Sequence, residues 1–384
     1  MAAGALARLA AAFSITFSIT VRCAVLDYGT LAALANAYDD SDEDGTEAYI
    51  LPVSKPLGQV TGIGIDSKKH LIAFHRANRT WNEKSFDDAN RFNATLGPIK
   101  SSTILVIDPK TGKVLEEHGD GVFFMPHGLT VDHDDNIWVT DVALHQVFKL
   151  DKNFKTQLTL GERLKPGDDA KHFCKPTDVA VAKNGHFFVA DGYCNSRVMK
   201  FDQNGKLLAT FGSPNSKSLQ NLNLSFLTNV RGEVVPEDGE FWIPHSLALI
   251  EDMNLICVAD RENERIQCFS AGLAEGGRAI PPGIFITKAE NIGRVYAIRE
   301  KPPTPITAKS HTILSGHYLV GVTGSDGDGI EPQLFVMDMN TGKANTFIKG
   351  IENAHALEVS DDGMVYIAQI GPNQIVQLSL QDQP

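Results

Sequence analysis

Three histidines share one position in a pattern that recurs along the chain. Each follows a proline or an alanine and opens a short aliphatic run, and a second apolar run comes after it: these are His127, His245 and His355. Three neutral imidazoles with an open fourth position form a recognised catalytic zinc arrangement, in which the metal polarises an oxygen or lowers the pKa of a bound hydroxyl. A single histidine more often makes an ordinary hydrogen bond, so the zinc prediction depends on the repetition.

A second set of residues follows the same pattern further downstream. Arg76 and Arg261 come directly after the second apolar run of two repeats, and Tyr193 lies in the matching loop of a third. Paired guanidinium groups can bind a carboxylate bidentately. A phenol beside a dication and two arginines would have its anion favoured, which lowers its pKa towards that of a usable base. A structural pairing of Arg261 with Asp260 and a packing role for Tyr193 are the alternatives.

The pattern itself predicts β-strands. It recurs at residues 61–75, 127–141, 177–191, 245–260 and 355–369, with threonine in place of histidine in the first and third copies. Short aliphatic and aromatic runs end in turns rich in Asp, Asn and Gly, for example at residues 108–113, which is typical of hairpins. No stretch shows a long helical period, so the sequence predicts an all-β chain.

The number of repeats predicts the architecture. Five copies are evident, and residues 260–355 leave room for a sixth, with weaker strand patterns at 294–298 and 318–322. Six units of this length predict a six-bladed β-propeller. If the shared position faces the central channel, the three histidines point inward from alternate blades, about 120° apart.

The charge of the chain excludes one class of partner. Lys and Arg number 35 against 47 Asp and Glu, which gives a formal net charge of −12. An acidic chain without a basic stripe is unsuited to a phosphate backbone, so we expect no nucleic acid partner. We expect the protein to be a monomer.

The first 48 residues differ from the rest of the chain. Residues 1–25 begin weakly positive, continue as an apolar run and end in small residues, which predicts a signal peptide. Residues 26–48 contain an acidic run without apolar periodicity and are predicted to be a disordered linker. The propeller would then span residues 49–384, secreted or in the lumen of the secretory pathway, with no membrane span after signal removal. An uncleaved anchor or a buried N-terminal helix is the alternative.

The cysteines and glycosylation sequons agree with an oxidising compartment. Cys23 lies in the predicted signal peptide, and the other four cysteines allow three pairings. We favour the pairing in which each disulfide brackets one strand–turn–strand unit, namely Cys174–Cys194 and Cys257–Cys268. Four buried free thiols in a cytosolic protein are the alternative, and the sequons at Asn78, Asn93 and Asn223 stand against it.

Several longer segments match the pattern of one known family. They include Pro126-His127-Gly128-Leu129, Asp191-Gly192-Tyr193-Cys194-Asn195, Pro244-His245-Ser246-Leu247 and Val258-Ala259-Asp260-Arg261-Glu262-Asn263. These segments resemble the peptidyl-α-hydroxyglycine α-amidating lyases, the lyase part of the peptidylglycine α-amidating monooxygenases. The resemblance is dense over about residues 50–270 and becomes weaker beyond them.

The resemblance implies a fold, a reaction and a set of site residues. The family is a six-bladed propeller with NHL-type repeats that cleaves a peptidyl-α-hydroxyglycine into a peptide amide and glyoxylate, in the maturation of neuropeptides and peptide hormones. The substrate is made by a copper monooxygenase, which would be a separate protein here. The resemblance assigns zinc ligation to His127, His245 and His355, catalysis and substrate contact to Arg76 and Tyr193, and a further substrate contact to Arg261. It also supports the two disulfides favoured above.

One position departs from the family pattern. The resemblance implies a structural calcium bound by the backbone oxygens of Val60 and Leu129 and by an aspartate directly after the third histidine. Here Ala356 follows His355, and an alanine cannot supply a carboxylate to a hard cation. Asn353 and Gln369 also differ from the pattern, so we expect the sixth blade to have diverged and the calcium site to have lost a ligand.

Two other functions remain open from the sequence. The divergence of the sixth blade suggests a catalytically weakened paralogue that serves as a peptide-binding or scaffold protein, although the other site residues are intact. A calcium-dependent propeller hydrolase of the lactonase type is the third hypothesis, but such a site requires inward carboxylates and amides rather than three imidazoles.

Overall fold

The structure of the protein, a computed structural model, describes residues 48–215, 235–274, 279–301, 317–325 and 330–380. The predicted signal peptide, nearly all of the predicted linker and the sequon at Asn223 lie outside these ranges. None of the helices within them is long and apolar enough to cross a membrane.

The first three blades are four-stranded antiparallel sheets with their strands in chain order. Blade one contains β2 (Val60–Ile65), β3 (Leu71–His75), β4 (Ile104–Ile107) and β5 (Val114–His118). Blade two contains β6 (Pro126–Val131), β7 (Ile137–Asp141), β8 (Gln146–Leu150) and β9 (Thr156–Leu160). Blade three contains β10 (Asp178–Val181), β11 (Phe187–Asp191), β12 (Arg197–Phe201) and β13 (Leu207–Phe211).

Blades four and five repeat this order, and blade six takes its fourth strand from the start of the described chain. Blade four contains β16 (Pro244–Ile250), β17 (Leu255–Asp260), β18 (Arg265–Ser270) and β19 (Phe285–Ala289). Blade five contains β20 (Arg294–Lys301), β21 (Tyr318–Gly324), β22 (Gln333–Asp338) and β23 (Ala344–Lys349). Blade six contains β24 (Ala354–Val359), β25 (Met364–Gln369), β26 (Ile375–Ser379) and β1 (Tyr49–Ile50).

Smaller elements lie between and within the blades. A short parallel pair, β14 (Ser213–Pro214) and β15 (Glu240–Phe241), lies between blades three and four. The 3₁₀ helices are η1 (Ala94–Leu96), η2 (Glu251–Met253) and η3 (Arg261–Asn263). The six-bladed β-propeller predicted from the repeats is thus confirmed. The weak copy expected between residues 260 and 355 forms blade five.

The ring of blades closes through its first and last strands. The innermost strand of each blade contacts that of the next, and β24 completes the circle by contacting β2. On the outside of blade six, β1 pairs with β26, with Tyr49 opposite Gln377 and Ile50 opposite Val376. The first described strand thus becomes the outermost strand of the last blade, and it pairs the outer edge of β26 that would otherwise be exposed.

The core lies between neighbouring blades. In blade one the second strand, β3, is buried along its whole length, whereas the outermost strand, β5, is mostly exposed. Aromatic side chains fill the interfaces: the rings of Trp138 in blade two and Phe187 in blade three lie 4.5 Å apart, centroid to centroid. This gradient explains why the inner strands are continuous apolar runs in the sequence, since both of their faces are covered.

An irregularity at the start of the inner strands has a direct bearing on the site. In five blades the pairing of the first two strands contains a β-bulge, at or beside Thr61, His127, His245, Tyr296 and His355. A bulge leaves one residue unpaired and turns its side chain out of the regular alternation. In blade three, Thr177 directly precedes the inner strand and lies at the corresponding position.

Glycine is required beside one of these bulges. A Cβ atom on Gly128 would lie 2.3 Å from the Thr177 carbonyl oxygen of the next blade. The inner strands of blades two and three therefore approach closely just where His127 leaves the strand.

Both favoured disulfides are confirmed. Cys174 pairs with Cys194, and Cys257 pairs with Cys268 on the adjacent strands β17 and β18. Of the predicted glycosylation sites, Asn78 and Asn93 are exposed.

We expect the double substitution Cys257→Ala with Cys268→Ala to lower the free energy of unfolding by about 2–5 kcal/mol, because the cross-link restricts the unfolded chain. Urea unfolding of the oxidised protein measures the change. The variant Cys174→Ala with Cys194→Ala is a matched comparison and should lose a similar amount. Midpoints equal to that of the parent would contradict this account of the cross-links.

Candidate active site

The three predicted histidines converge on the propeller axis. They lie on the innermost strands of blades two, four and six. All three are buried, and the most exposed of them, His355, is only 4% exposed. One ligating nitrogen of each lies within 4.8 Å of those of the other two. The centroids of the rings are 4.7 to 4.9 Å apart. Among the described residues this is the one group of three such ligands.

A carbonyl of the next blade orients each ring. The Nδ1 atom of His127 lies 2.8 Å from the Thr177 carbonyl oxygen, and that of His355 lies 2.9 Å from the Thr61 oxygen. In the same way, Nδ1 of His245 lies 2.6 Å from the carbonyl oxygen of Tyr296. A carbonyl can only accept, so each Nδ1 carries the proton and each Nε2 presents its lone pair.

The threefold relation follows from the bulge position. In blades two, four and six the residue at the bulge position is a histidine. In blades one, three and five it is the residue whose carbonyl accepts from the histidine of the preceding blade. Each inward imidazole is thus oriented by the equivalent residue of its neighbour, as outer partners orient metal-binding histidines.

The histidines are held neutral. Burial lowers the pKa of all three and the neighbouring arginines lower it further; for His127 and His245 the other imidazoles do so as well. For His355, burial and then the Arg76 guanidinium lower the pKa to about 3. Metal binding needs deprotonated imidazole, and these rings are already in that form near neutral pH.

The donor set fits zinc. Three buried, neutral imidazoles of fixed tautomer point their Nε2 lone pairs into one space, and such N₃ sets hold catalytic Zn²⁺ with one position open. His127, His245 and His355 are the residues that would hold it.

Tyr193 lies directly beside this cluster. Its hydroxyl oxygen is 2.9 Å from Nε2 of His127 and 3.2 Å from Nε2 of His245. Its loop follows β11 and is tied down by the disulfide at the next residue, Cys194, while the Trp81 ring packs 4.8 Å away. The phenol can therefore donate to one imidazole nitrogen at a time and is held within reach of whatever binds there.

The pKa of Tyr193 differs from the expectation. Burial raises it, and the opposing effects of Arg261 and Arg76 are smaller. The two arginines alone therefore do not produce the lowered pKa that the sequence predicted. They do keep the phenol in an electropositive surrounding, which favours its anion over that of an equally buried tyrosine elsewhere.

Arg76 is fixed at the edge of the cluster. Its Nε donates to the Pro126 carbonyl oxygen at 3.0 Å and its Nη1 to Oε1 of Gln59 at 2.8 Å. The guanidinium carbon lies 5.3 Å from the centroid of Trp81. Nη2 has no partner among the described residues. The group is thus oriented on one edge and free to bind an anion on the other.

Arg261 lies between two phenol rings. Its guanidinium carbon is 5.4 Å from the ring centroid of Tyr193 and 4.9 Å from that of Tyr296. Its Nε donates to Glu262 at 2.8 Å, whereas Asp260 pairs with Arg265 at 2.9 Å. The alternative pairing of Arg261 with Asp260 is therefore wrong, and the guanidinium stacks over the site.

The sequence interpretation missed two residues of the site. Tyr296 occupies the bulge position of blade five, where its ring lies 5.3 Å from that of His245. Its local sequence, Val295-Tyr296-Ala297, shares with Ala354-His355-Ala356 the alanine that follows the central residue, which is the signal that could have indicated it. Trp81 lies in the long loop between β3 and β4, where no repeat applies, and no sequence signal indicated its contact with Tyr193.

Comparison with known proteins identifies the family. The NHL repeat model matches residues 173–201 and 241–269, which lie in blades three and four. A probable peptidyl-α-hydroxyglycine α-amidating lyase of Caenorhabditis elegans is 49% identical, over 85% of this chain and 84% of that protein. The chain belongs to the peptidyl-α-hydroxyglycine α-amidating lyase family. A second member, lyase 2 of Drosophila melanogaster, is 37% identical over 83% of this chain and 70% of its own.

Members of the lyase family also occur within longer proteins. The peptidyl-glycine α-amidating monooxygenase B of Xenopus laevis is 42% identical over 85% of this chain but only 34% of its own length. Among solved structures, a gluconolactonase from Xanthomonas campestris aligns with a TM-score of 0.52 at 12% identity, covering 87% of this chain and 89% of the other. That likeness concerns the propeller fold alone.

We expect the replacement of any one of His127, His245 and His355 by alanine to remove most of the zinc from the purified protein, because each supplies a third of the ligand set. Elemental analysis by mass spectrometry measures zinc per chain. The control is His133→Ala, since that side chain is 42% exposed and lies outside the cluster. Equal zinc in all four variants would contradict the proposed ligand set.

Proposed function

We propose that the protein is a zinc-dependent peptidyl-α-hydroxyglycine α-amidating lyase. The reaction breaks the C–N bond of the hydroxyglycine and yields a C-terminal peptide amide and glyoxylate. The observation that carries the proposal is the convergence of three neutral Nε2 lone pairs beside the Tyr193 hydroxyl and two buried guanidinium groups. Family membership supplies the reaction class.

Arg76 and Arg261 are suited to the carboxylate of the substrate. Arg76 uses Nε and Nη1 to hold its position and leaves Nη2 without a partner among the described residues, and a guanidinium binds a carboxylate bidentately. Arg261 adds positive charge from the Tyr193 side. Because both groups are buried, their attraction for an anion is screened less than it would be at the surface.

Tyr193 is suited to move the proton. A carbinolamide collapses when its hydroxyl loses a proton: the hydroxyl carbon becomes the aldehyde of glyoxylate, and the amide nitrogen leaves with the bonding electrons and takes up a proton. As the phenolate, which zinc at the three histidines and the two arginines would favour over the phenol, Tyr193 accepts the first proton and returns it to the nitrogen, which is ordinary general acid–base chemistry. Zinc, when bound by the three histidines, supplies Lewis acid polarisation of an oxygen.

We further propose that the protein acts in the secretory pathway, on neuropeptides and peptide hormones hydroxylated by a separate copper monooxygenase. The predicted signal peptide, two disulfides and two exposed sequons support that compartment. The monooxygenases of this family carry the matched region in about a third of their length, which supports consecutive reactions on one substrate.

The direct test is turnover of a synthetic peptidyl-α-hydroxyglycine. We expect equal amounts of glyoxylate and peptide amide, loss of turnover when a chelator removes the metal, and its return with Zn²⁺. A folded protein with one zinc per chain that releases no glyoxylate would contradict the proposal and favour the peptide-binding paralogue. The intact blade six, with His355 buried and oriented, argues against that paralogue.

We expect Tyr193→Phe to lower kcat by about 10²- to 10⁴-fold, because the general acid–base group is lost. Zinc content should be unchanged, since the phenol is not a ligand. The matched control is Tyr296→Phe, which removes the other phenol packed against the Arg261 guanidinium and should leave kcat close to the parent value. A Tyr193→Phe enzyme with parental kcat would contradict the role of the hydroxyl.

We expect Arg76→Lys to lower kcat/KM by roughly 10- to 100-fold, because lysine cannot make the bidentate contact. A substrate analogue with its carboxylate converted to an amide should show a much smaller difference between parent and variant, so the two changes are not additive. Arg79→Lys is the control, since Arg79 donates to the carbonyls of Gly97 and Phe124. Additive effects of substitution and analogue would contradict carboxylate binding by Arg76.

A further inference from the structure

We infer that the guanidinium of Arg299 acts as a built-in cation on the propeller axis, so that the protein needs no calcium there. This goes beyond the proposed function, because it concerns what holds the blades together beneath the histidines.

Arg299 connects five of the six blades. It lies on β20 in blade five, and its Nη1 donates to Oδ2 of Asp178 at 3.0 Å and to the Leu247 carbonyl oxygen at 3.2 Å, in blades three and four. Nη2 lies 3.4 Å from the carbonyl oxygen of Leu129 in blade two. Nε lies 3.7 Å from Oε2 of Glu358 in blade six. A single planar cation thus makes contacts around the ring of inner strands.

The carboxylates around Arg299 favour a cation between them. Asp178 and Glu358 have side chains that are 5% and 18% exposed, and both face the Arg299 guanidinium. Asp178 also accepts from the Ser246 hydroxyl at 2.9 Å and from the backbone N–H of Leu247 at 3.0 Å. Two enclosed carboxylates without a positive partner would be strongly destabilising.

The same axial space is where calcium would lie by family resemblance. The cavity that contains the three histidines is also lined by Leu129, Ala356 and Arg299. Calcium would need the backbone oxygens of Val60 and Leu129 and a carboxylate at 356. Ala356 is buried and offers only a methyl group, and the Leu129 oxygen already faces the guanidinium.

The residues of this chain therefore do not fit calcium. A divalent cation close to the Leu129 oxygen would be repelled by the charge of Arg299 a few ångströms away, with little water between them to screen it. The predicted loss of a ligand at Ala356 thus coincides with a fixed positive charge, that of Arg299, beside the Leu129 oxygen. The arginine is tethered to β20, so its charge cannot be removed by a chelator.

The first experiment uses the parent protein. Zinc-loaded protein is freed of calcium on a chelating resin and titrated with Ca²⁺ up to about 1 mM, a range that covers extracellular calcium sites, while Tm and calcium binding are measured by calorimetry. We expect no bound calcium and no change in Tm. One bound calcium per chain, with a rise in Tm that Mg²⁺ does not reproduce, would overturn the inference.

The second experiment removes the Arg299 charge and tests whether Ca²⁺ can replace it. Arg299→Ala should lower Tm by roughly 5–15 °C, because buried carboxylates lose their partner. Arg299→Ala with Ala356→Asp supplies a carboxylate and clears the guanidinium, and we expect Ca²⁺ to recover at least half of the lost Tm. Ala356→Asp alone should not respond to calcium, since the new carboxylate would face Arg299.

A matched control separates position from charge. Arg265 is a buried arginine on β18 that pairs with Asp260 at 2.9 Å. Arg265→Ala with Ala356→Asp removes the same charge and adds the same carboxylate, but leaves Arg299 in place, so we expect no calcium response. A calcium response in this control, or a parental Tm in Arg299→Ala, would overturn the inference; the parent titration decides the matter if the variants do not fold.

Discussion

The hydrogen bond between an imidazole Nδ1 and the carbonyl of the next blade is the interaction on which the site depends. It occurs three times, from His127 to Thr177, from His245 to Tyr296 and from His355 to Thr61. Each bond fixes a tautomer, points a lone pair at the axis and joins two blades. Since the last of the three crosses from blade six to blade one, the site is complete only when the ring is closed.

This arrangement explains why a propeller can build a metal centre from repeats. In five blades a β-bulge at the start of the innermost strand turns one residue out of the regular alternation, and in blade three Thr177 lies at the corresponding position. Even blades supply ligands and odd blades supply carbonyls, so the local geometry is repeated while the side chains differ. The loops after the second strands then add side chains that differ from blade to blade: Arg76 after β3, Tyr193 after β11 and Arg261 after β17. A rigid, buried first layer positions these more variable groups.

Much of this could be predicted from the sequence, for identifiable reasons. The inner strands are buried on both faces, so their apolar runs made the repeats and the blade number evident, and the equivalence of the histidines followed from those repeats. Tyr296 was missed because its repeat carries no histidine, although its neighbours follow the pattern. The pairing of Tyr49–Ile50 with blade six and the contacts of Arg299 could not be predicted, because both depend on closure of the ring. A two-residue strand and a single charged residue leave no periodic pattern in the sequence.

The pKa of Tyr193 shows a further limit. The sequence indicated which charges would lie near Tyr193, but burial raises its pKa more than those charges lower it, and the extent of burial is a property of the folded loop.

The most direct test of the three-histidine centre is turnover as a function of metal occupancy, with Zn²⁺ titrated into metal-free, folded protein and glyoxylate release measured at each step. We expect the rate to rise in proportion to bound zinc and to reach its maximum at one zinc per chain. Full turnover without zinc, or none at full occupancy, would contradict the three-histidine centre as the site of the lyase reaction.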